Sequence, residues 1–267
     1  MRNFFILRLT IVGFNKEEKM NSCYKVYLND DTKIIEELEN KIQVFFNGYK
    51  TNCWSIPALI EENILVKCGY FSIMPNQLTR ALNEMAVDLK QSNVKYYLTP
   101  AACLHLYPHI KSQTIKNELI TTKARVYRWE DGNYTEGVRM WDFTVRECVA
   151  IGTVSFVKEF LEDFMNKAMD LAKTYNIDAQ IVQASDHFYP SKENQLKQRI
   201  QLANNLKYEL QVNIDGKIIA LASFNYHGFH FSKTFDFDEE GEIVSGCVGF
   251  GIDRWLTVIN YLKGELK

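Results

Sequence analysis

Apolar positions recur along this chain with two distinct periods, and the change from one to the other divides it into helices and strands. Ile34, Ile35, Leu38, Ile42 and Phe45 keep the three-to-four spacing that lines one face of a helix. Asp30 or Asp31 can cap that helix, and Asn47-Gly48 stops it. Leu78, Leu82, Met85 and Leu89 predict a second helix. Phe156, Val157, Phe160, Leu161, Phe164, Ala168, Leu171, Ala172 and Tyr175 form the longest stripe, a core-facing helix of about six turns. Between the second and third helices the pattern is extended. KYYLT at 95–99, ARVYRWE at 124–130 and WDFTVRECVAIG at 141–152 read as antiparallel strands. Tyr208, Leu210, Val212 and Ile214 alternate with polar residues before Asp215-Gly216, a two-residue hairpin turn into KIIALASF. Near the end, GCVGFGIDRWLTVINYL predicts a short strand that passes through glycines into a helix, with Ile252, Trp255, Leu256 and Ile259 facing inward. Runs of strands with helices outside them predict an α+β fold on a mainly antiparallel sheet, not an alternating dinucleotide-binding pattern.

No repeat, low-complexity tract or Pro/Gly-rich linker marks a boundary, so residues 1–267 are expected to form a single catalytic domain. A hydrophobic content of 46% suits a full core. The net charge of -2 and pI near 6.2 lack the basic field of a dedicated nucleic-acid binder. MRNFFILRLTIVGF is interrupted by Arg8 and followed by no small-residue cleavage site, which predicts an early strand and not a signal. No run reaches the roughly 18 to 20 apolar residues of a membrane span. The expectation is a cytoplasmic protein with no membrane contact. Cysteines 23, 53, 68, 103, 148 and 247 are scattered, which argues against a disulfide framework and leaves metal ligation or burial for each.

Two segments carry candidate chemistry. Arg128 and Glu130 are two apart, so on a strand both point to one face, and Arg139 and Phe143 follow across a polar, glycine-containing loop. Such a set can be an ion-paired surface hairpin, or it can meet a nucleotide, with Arg on phosphate and Glu on the adenine amino group. GFGIDR at 249–254 places Arg254 in the first turn of a helix, where it can serve packing or reach a phosphate. In this order the two segments resemble motifs 2 and 3 of class II aminoacyl-tRNA synthetases. That resemblance implies Arg128 on the ATP α-phosphate, Glu130 on adenine, Phe143 stacked on its ring, Arg139 as a loop cation and Arg254 on the terminal phosphates. WSIPALI at 54–60 is loosely similar to motif 1, which would set Pro57 at a homodimer interface; a loop proline is the alternative.

A narrower resemblance follows from LTPAAC at 98–103, VREC at 145–148 and SGC at 245–247, with SFNYHGFHF at 223–231 in support. These look like segments of the amino acid:carrier-protein ligases, relatives of the atypical methanogenic seryl-tRNA synthetases, and the similarity spans roughly residues 50–260. It implies a Zn2+ ion on Cys103, Glu147 and Cys247, with the fourth position open to the substrate amino group. Taken singly, each cysteine reads as a small buried hydrophobe. His227 and His230 are rival ligands, although each reads more readily as a hydrogen-bonded structural histidine, and Cys148 should face away from the site. Asp186 matches an acidic loop element that could hold the substrate amine; a loop cap is its rival role. For Mg2+ the expected strand acid is missing from KIIALASFN, leaving Glu209 and Asn225 as substitutes.

The resemblance implies ATP-dependent activation of glycine, alanine or serine as an aminoacyl-adenylate, followed by transfer to the phosphopantetheine thiol of a carrier protein. Arg128 and Arg254 would be the catalytic cations. A tRNA partner is not expected, because the charge balance is unsuited to it and only about 50 residues precede the motif-1-like segment. Lys192, Lys197, Arg199 and Lys207 form a candidate basic patch for an acidic carrier or simply a solvated face. A shortened atypical seryl-tRNA synthetase and a non-catalytic synthetase paralogue are the competing readings.

Overall fold

The computed structural model describes residues 23–82, 95–110, 117–130, 132–186 and 189–264. The early strand expected within residues 1–14 lies outside these, as does the 83–94 part of the second predicted helix. Among the described residues, the largest sheet runs in the order β1 (Thr51–Cys53), β5 (Glu118–Tyr127), β6 (Asp142–Gly152), β10 (Val244–Gly251), β9 (Lys217–Gly228), β8 (Lys207–Ile214) and β7 (Ala179–Gln183). The β1–β5 pair is parallel and the other pairs are antiparallel. A second, smaller sheet orders β2 (Leu59–Glu61), β4 (Tyr96–Leu98) and β3 (Arg80–Ala81). The α+β class expected from the pattern is the class observed.

One face of the large sheet is covered by α1 (Asp30–Gln43), α4 (Val154–Thr174) and α7 (Ile252–Leu262), and the main core lies between them. The α4 stripe buries Val157, Phe160, Leu161, Phe164, Ala168, Leu171 and Ala172. Thr153 caps this helix by accepting from the Phe156 N–H at 3.3 Å, and Asn176, at φ 56°, turns the chain out at its end. The opposite face carries α2 (Glu62–Lys67), α3 (Tyr70–Ile73), α6 (His230–Phe235) and the turn around Cys103, packed as a second core with Ile120, Val149 and Ile151. Alternation along β6 therefore sends Cys148 and Ala150 to the α4 side and Glu147, Val149 and Ile151 to the other.

The Asp215-Gly216 turn closes β8 onto β9 with φ of 49° and 80°, the positive values that a two-residue hairpin of this kind requires. Three expectations are corrected. Helix α1 takes Asn29, not Asp30 or Asp31, at its cap position, and without a side-chain cap bond; the two aspartates instead occupy the first turn, where their charge suits the helix dipole. Leu78 and Leu82 do not share a helix, because a short turn at Pro75–Gln77 gives way to β3. The ARVYRWE strand begins earlier and its ladder ends at Tyr127: the Arg128 N–H still bonds the Trp141 carbonyl at 2.8 Å, but the Trp129 N–H turns to Gln77 at 3.1 Å. KYYLT forms a strand, but in the smaller sheet.

At Gly246 the side chains of α4 pack directly on the sheet. A Cβ there would stand 2.8 Å from Val157 Cγ1 and 3.0 Å from the Asn225 carbonyl. Gly246→Ala should destabilise the protein by about 1–3 kcal/mol through overpacking. Thermal unfolding checks this, and an unchanged midpoint would show that α4 can shift outward freely.

Candidate active site

On the face opposite α4, the central strands bring the two sequence segments together. Arg128 and Glu130 arrive at the end of β5, Phe143 near the start of β6, and Arg254 at the start of α7 after β10, and all four line one pocket. Arg139 enters it from the loop between β5 and β6 and lies 3.4 Å from the Glu130 carboxylate. Leaving the ladder after Tyr127 does not separate Arg128 from Glu130; both still line the cavity.

The arginines are held by backbone carbonyls. Arg128 Nε donates to Pro100 at 2.9 Å, and its guanidinium lies 5.4 Å from the centre of the Phe143 ring. Arg254 donates from Nε to Val138 at 2.7 Å and from NH1 to Ala220 at 3.0 Å. Burial, then the neighbouring Arg128, lowers the Arg254 pKa. A half-buried cation tied to carbonyls, which offer no full negative charge, is electrostatically suited to an arriving anion. Gly137 makes this possible in the loop, since a Cβ there would meet Thr257 Oγ1 of α7 at 2.0 Å and its φ is 71°.

The second cluster lies deeper. Cys103, Glu147 and Cys247 come from a short turn, β6 and β10, and their ligand atoms lie within 4.8 Å of one another. All three are buried. Gly249 stands opposite Glu147 in the β10–β6 register, and its missing side chain leaves space for the carboxylate, whose Oε2 would be only 3.0 Å from a Cβ there. Burial pushes Glu147 up to about 7. The hydrogen bond with Cys103, with burial and Glu147, pushes the Cys247 thiol up as well. Two thiols and a carboxyl group thus crowd together, and two thiolates with a carboxylate are a donor set that fits a divalent zinc-type ion.

His227 does not join that trio. Its Nδ1 meets Tyr107 Oη at 3.1 Å and Ser245 Oγ at 3.3 Å, while Nε2 meets the Cys247 sulfur at 3.5 Å. Burial holds its pKa down to about 3, so it is a neutral, hydrogen-bonded neighbour. Cys148 faces the other core, 3.9 Å from Thr121 Oγ1.

A cavity of about 480 Å³ includes the trio and shares Arg128, Phe143, Val145, Glu147, Lys207 and Ser223 with the arginine pocket. Asp186 lines it, fixed by Gln201 Nε2 at 2.8 Å and by the Lys207 ammonium. Burial would raise the Asp186 pKa, yet Lys207 brings it below the usual carboxylate value. Glu209 stands on the arginine side, 3.3 Å from Lys207 and accepting from Gln211 at 2.8 Å. Asn225 stands on the other side, its amide 3.6 Å from the Cys247 sulfur.

Lys207 corrects the expected basic patch. It is buried between Asp186 and Glu209, whereas Lys192, Lys197 and Arg199 are exposed on α5 (Lys192–Ala203). Spacing shows only that Lys207 and Glu209, two apart on one strand, share a face.

No family model matches the chain. Individual proteins do. Amino acid–[acyl-carrier-protein] ligase 1 of Bradyrhizobium diazoefficiens is 28% identical over 262 residues, spanning 87% of this chain and 79% of that protein. The type-2 serine–tRNA ligase of Methanocaldococcus jannaschii is 30% identical over 262 residues, spanning 86% of this chain but 49% of the relative, so the chain covers about half the length of such relatives. Among solved structures, M. kandleri SerRS, crystallised with A. aeolicus tRNASec, superposes with a TM-score of 0.74 at 19% identity over 91% of this chain and 54% of that one. Giardia lamblia prolyl-tRNA synthetase, solved with prolyl-adenylate, gives 0.66 at 13% identity over 88% and 47%. The fold is therefore that of the class II synthetases, as motifs 2 and 3 implied. Amino acid–[acyl-carrier-protein] ligase 2 of B. diazoefficiens is 31% identical over 261 residues, 88% of this chain and 77% of the relative, and on that match the chain belongs to the amino acid–[acyl-carrier-protein] ligase family.

Proposed function

We propose that this ligase uses Mg-ATP to activate glycine, alanine or serine as an aminoacyl-adenylate and passes the aminoacyl group to the phosphopantetheine thiol of a carrier protein. The observation that carries the reading is the shared wall of the two cavities. Arg128, Phe143, Glu147 and Lys207 border both the arginine pocket, suited to a nucleotide, and the thiol-carboxylate pocket, suited to an amine. The reacting carboxylate and α-phosphate would meet along that wall.

In the first step an amino-acid carboxylate oxygen attacks the α-phosphorus and pyrophosphate leaves. Arg128 neutralises charge at the α-phosphate, and Arg254 with Arg139 neutralises the departing pyrophosphate. Glu130 accepts from the adenine amino group, and the Phe143 ring offers a stacking face. Glu209 is the favoured side chain toward Mg2+, with Asn225 nearer the substrate. Asp186, kept ionised by Lys207, faces the substrate ammonium side of the cavity. A zinc ion held by Cys103, Glu147 and Cys247 would supply a Lewis-acid anchor for the substrate amine. In the second step the carrier thiol, losing its proton, attacks the activated carbonyl, and AMP leaves.

Two features support the carrier as acceptor. The larger cavity exceeds what a small amino acid fills and leaves room for a thiol arm. It is bordered by Lys197 and Ile200 of α5, and that helix also exposes Lys192, Arg199 and Leu196, a basic and apolar surface suited to an acidic partner. We place Pro57, exposed between β1 and β2, at a homodimer contact of the motif-1 kind. No described helix is long and apolar enough to cross a membrane, and a cytoplasmic setting suits the reaction.

Amino-acid-dependent ATP–pyrophosphate exchange tests the first step, with glycine, alanine or serine expected to drive it and leucine or phenylalanine not. Preferential exchange with the large side chains would overturn the substrate assignment. Incubating the enzyme, ATP and the activated amino acid with phosphopantetheinylated carrier or with total tRNA tests the second. A hydroxylamine-sensitive product on the carrier is expected; efficient tRNA charging without it would make a seryl-tRNA-synthetase-like activity the better reading.

A further inference from the structure

The chain before α1 is tied to the arginine pocket at three points. The Cys23 carbonyl accepts from the N–H groups of Trp141 and Asp142 at 2.8 and 3.2 Å, where the β5–β6 loop rejoins β6. Lys25 pairs with Glu136 of that loop at 3.2 Å. The third tie is the most telling, because Tyr27 Oη donates to Asp253 Oδ1 at 2.6 Å, and the other oxygen of the same carboxylate accepts from the Thr144 N–H at 2.6 Å.

Asp253 immediately precedes Arg254 at the start of α7, and Thr144 immediately follows Phe143 on β6. The carboxylate thus joins the element carrying the terminal-phosphate cation to the element carrying the ring-stacking side chain. It is 3% exposed, lines the pocket and accepts one bond on each of its two oxygens. A phenol is its side-chain donor here, with Arg125 turned instead to Asp142 at 2.7 Å.

We propose that Tyr27 is a positioning residue for nucleotide binding, which acts through Asp253 to hold Arg254 and Phe143 at the spacing ATP requires. Tyr27 touches neither substrate nor reacting atoms. Its hydroxyl orients the Asp253 carboxylate, the carboxylate fixes the Thr144 backbone, and the two pocket walls keep their separation without ligand. Pre-set walls bind more tightly because less order is lost on binding.

The inference rests on the nucleotide reading of this pocket, and its test is independent of turnover. Calorimetric Kd values for Mg-ATP are compared for wild type, Tyr27→Phe, Asp253→Asn and the double variant. Tyr27→Phe keeps the ring and should weaken ATP about tenfold, the effect of one hydrogen bond to a charged group. Asp253→Asn should weaken it at least as much, and Tyr27→Phe should add nothing further in that background. Zinc content should be unchanged in every variant, since the bonds of Tyr27 and Asp253 run to each other and to Thr144 and not to Cys103, Glu147 or Cys247. ATP affinity within twofold of wild type for Tyr27→Phe would overturn the proposal. So would equal weakening by Tyr27→Phe with and without Asp253, which would mark a structural role of the ring segment. Failure of pyrophosphate exchange in a wild type that binds ATP would instead overturn the proposed reaction, while the affinity ratios still decide the role of Tyr27.

Discussion

Arg254→Ala should lower amino-acid-dependent ATP–pyrophosphate exchange by roughly 10²- to 10³-fold, the usual loss when one oriented charge donor is removed from a transition state. The size follows from the geometry. Carbonyls of Val138 and Ala220 aim this guanidinium before any nucleotide arrives, so no side-chain ordering is left for the reaction to supply. Arg254→Lys should recover little, because a single ammonium cannot keep both carbonyl bonds and still meet a phosphate. Arg128→Ala should fall in the same range, with the added loss of the cation resting near Phe143. Steady-state exchange measures each variant, with thermal unfolding as the check on folding. A loss under tenfold in a well-folded Arg254→Ala protein would remove this residue from the catalytic assignment.

The second large effect concerns metal. Purified protein should carry about one zinc per chain, and replacing Cys103 and Cys247 together by serine should reduce that to near zero, because a carboxylate alone cannot hold the ion against solvent. Exchange activity should fall with it. Cys148→Ser is the matched control: it lies one residue from Glu147 but on the opposite face of β6, packed toward α4, and should leave the zinc content unchanged. Elemental analysis of the three proteins decides. Equal zinc in wild type and the double-serine variant would remove this site.

Much of the fold could be read from local pattern. The α4 stripe, the β8–β9 hairpin and the glycine-rich passage of β10 into α7 all stand where the periodicity placed them, because the hydrophobic period agrees with the Thr153 cap in the first and with the turn residues in the others. The start of the second predicted helix, at Leu78 and Leu82, departs from the pattern for the opposite reason. Leu78 and Leu82 have helical spacing but follow Pro75, and pairing of Arg80 and Ala81 with β4 overrides the short apolar pattern.

The chain's own order of residues determined which side chains share a face: Lys207 with Glu209, and Glu147 apart from Cys148. These relations follow from the two-residue repeat of a strand and hold before any packing. Only the tertiary structure decided what those faces meet. Cys103, Glu147 and Cys247 lie on a turn and two strands, and nothing in their spacing brings their ligand atoms within 4.8 Å; the β6–β10 pairing and the turn packed over it do so. Lys207 looked like one more surface cation in a basic run, but it is buried on β8, where Asp186 and Glu209 are its partners. Tyr27 and Asp253, 226 residues apart, were joined in the same way. Side-chain direction is a property of the local backbone, whereas the partner of a buried charge is set by long-range pairing, and that is why the one could be read along the chain and the other could not.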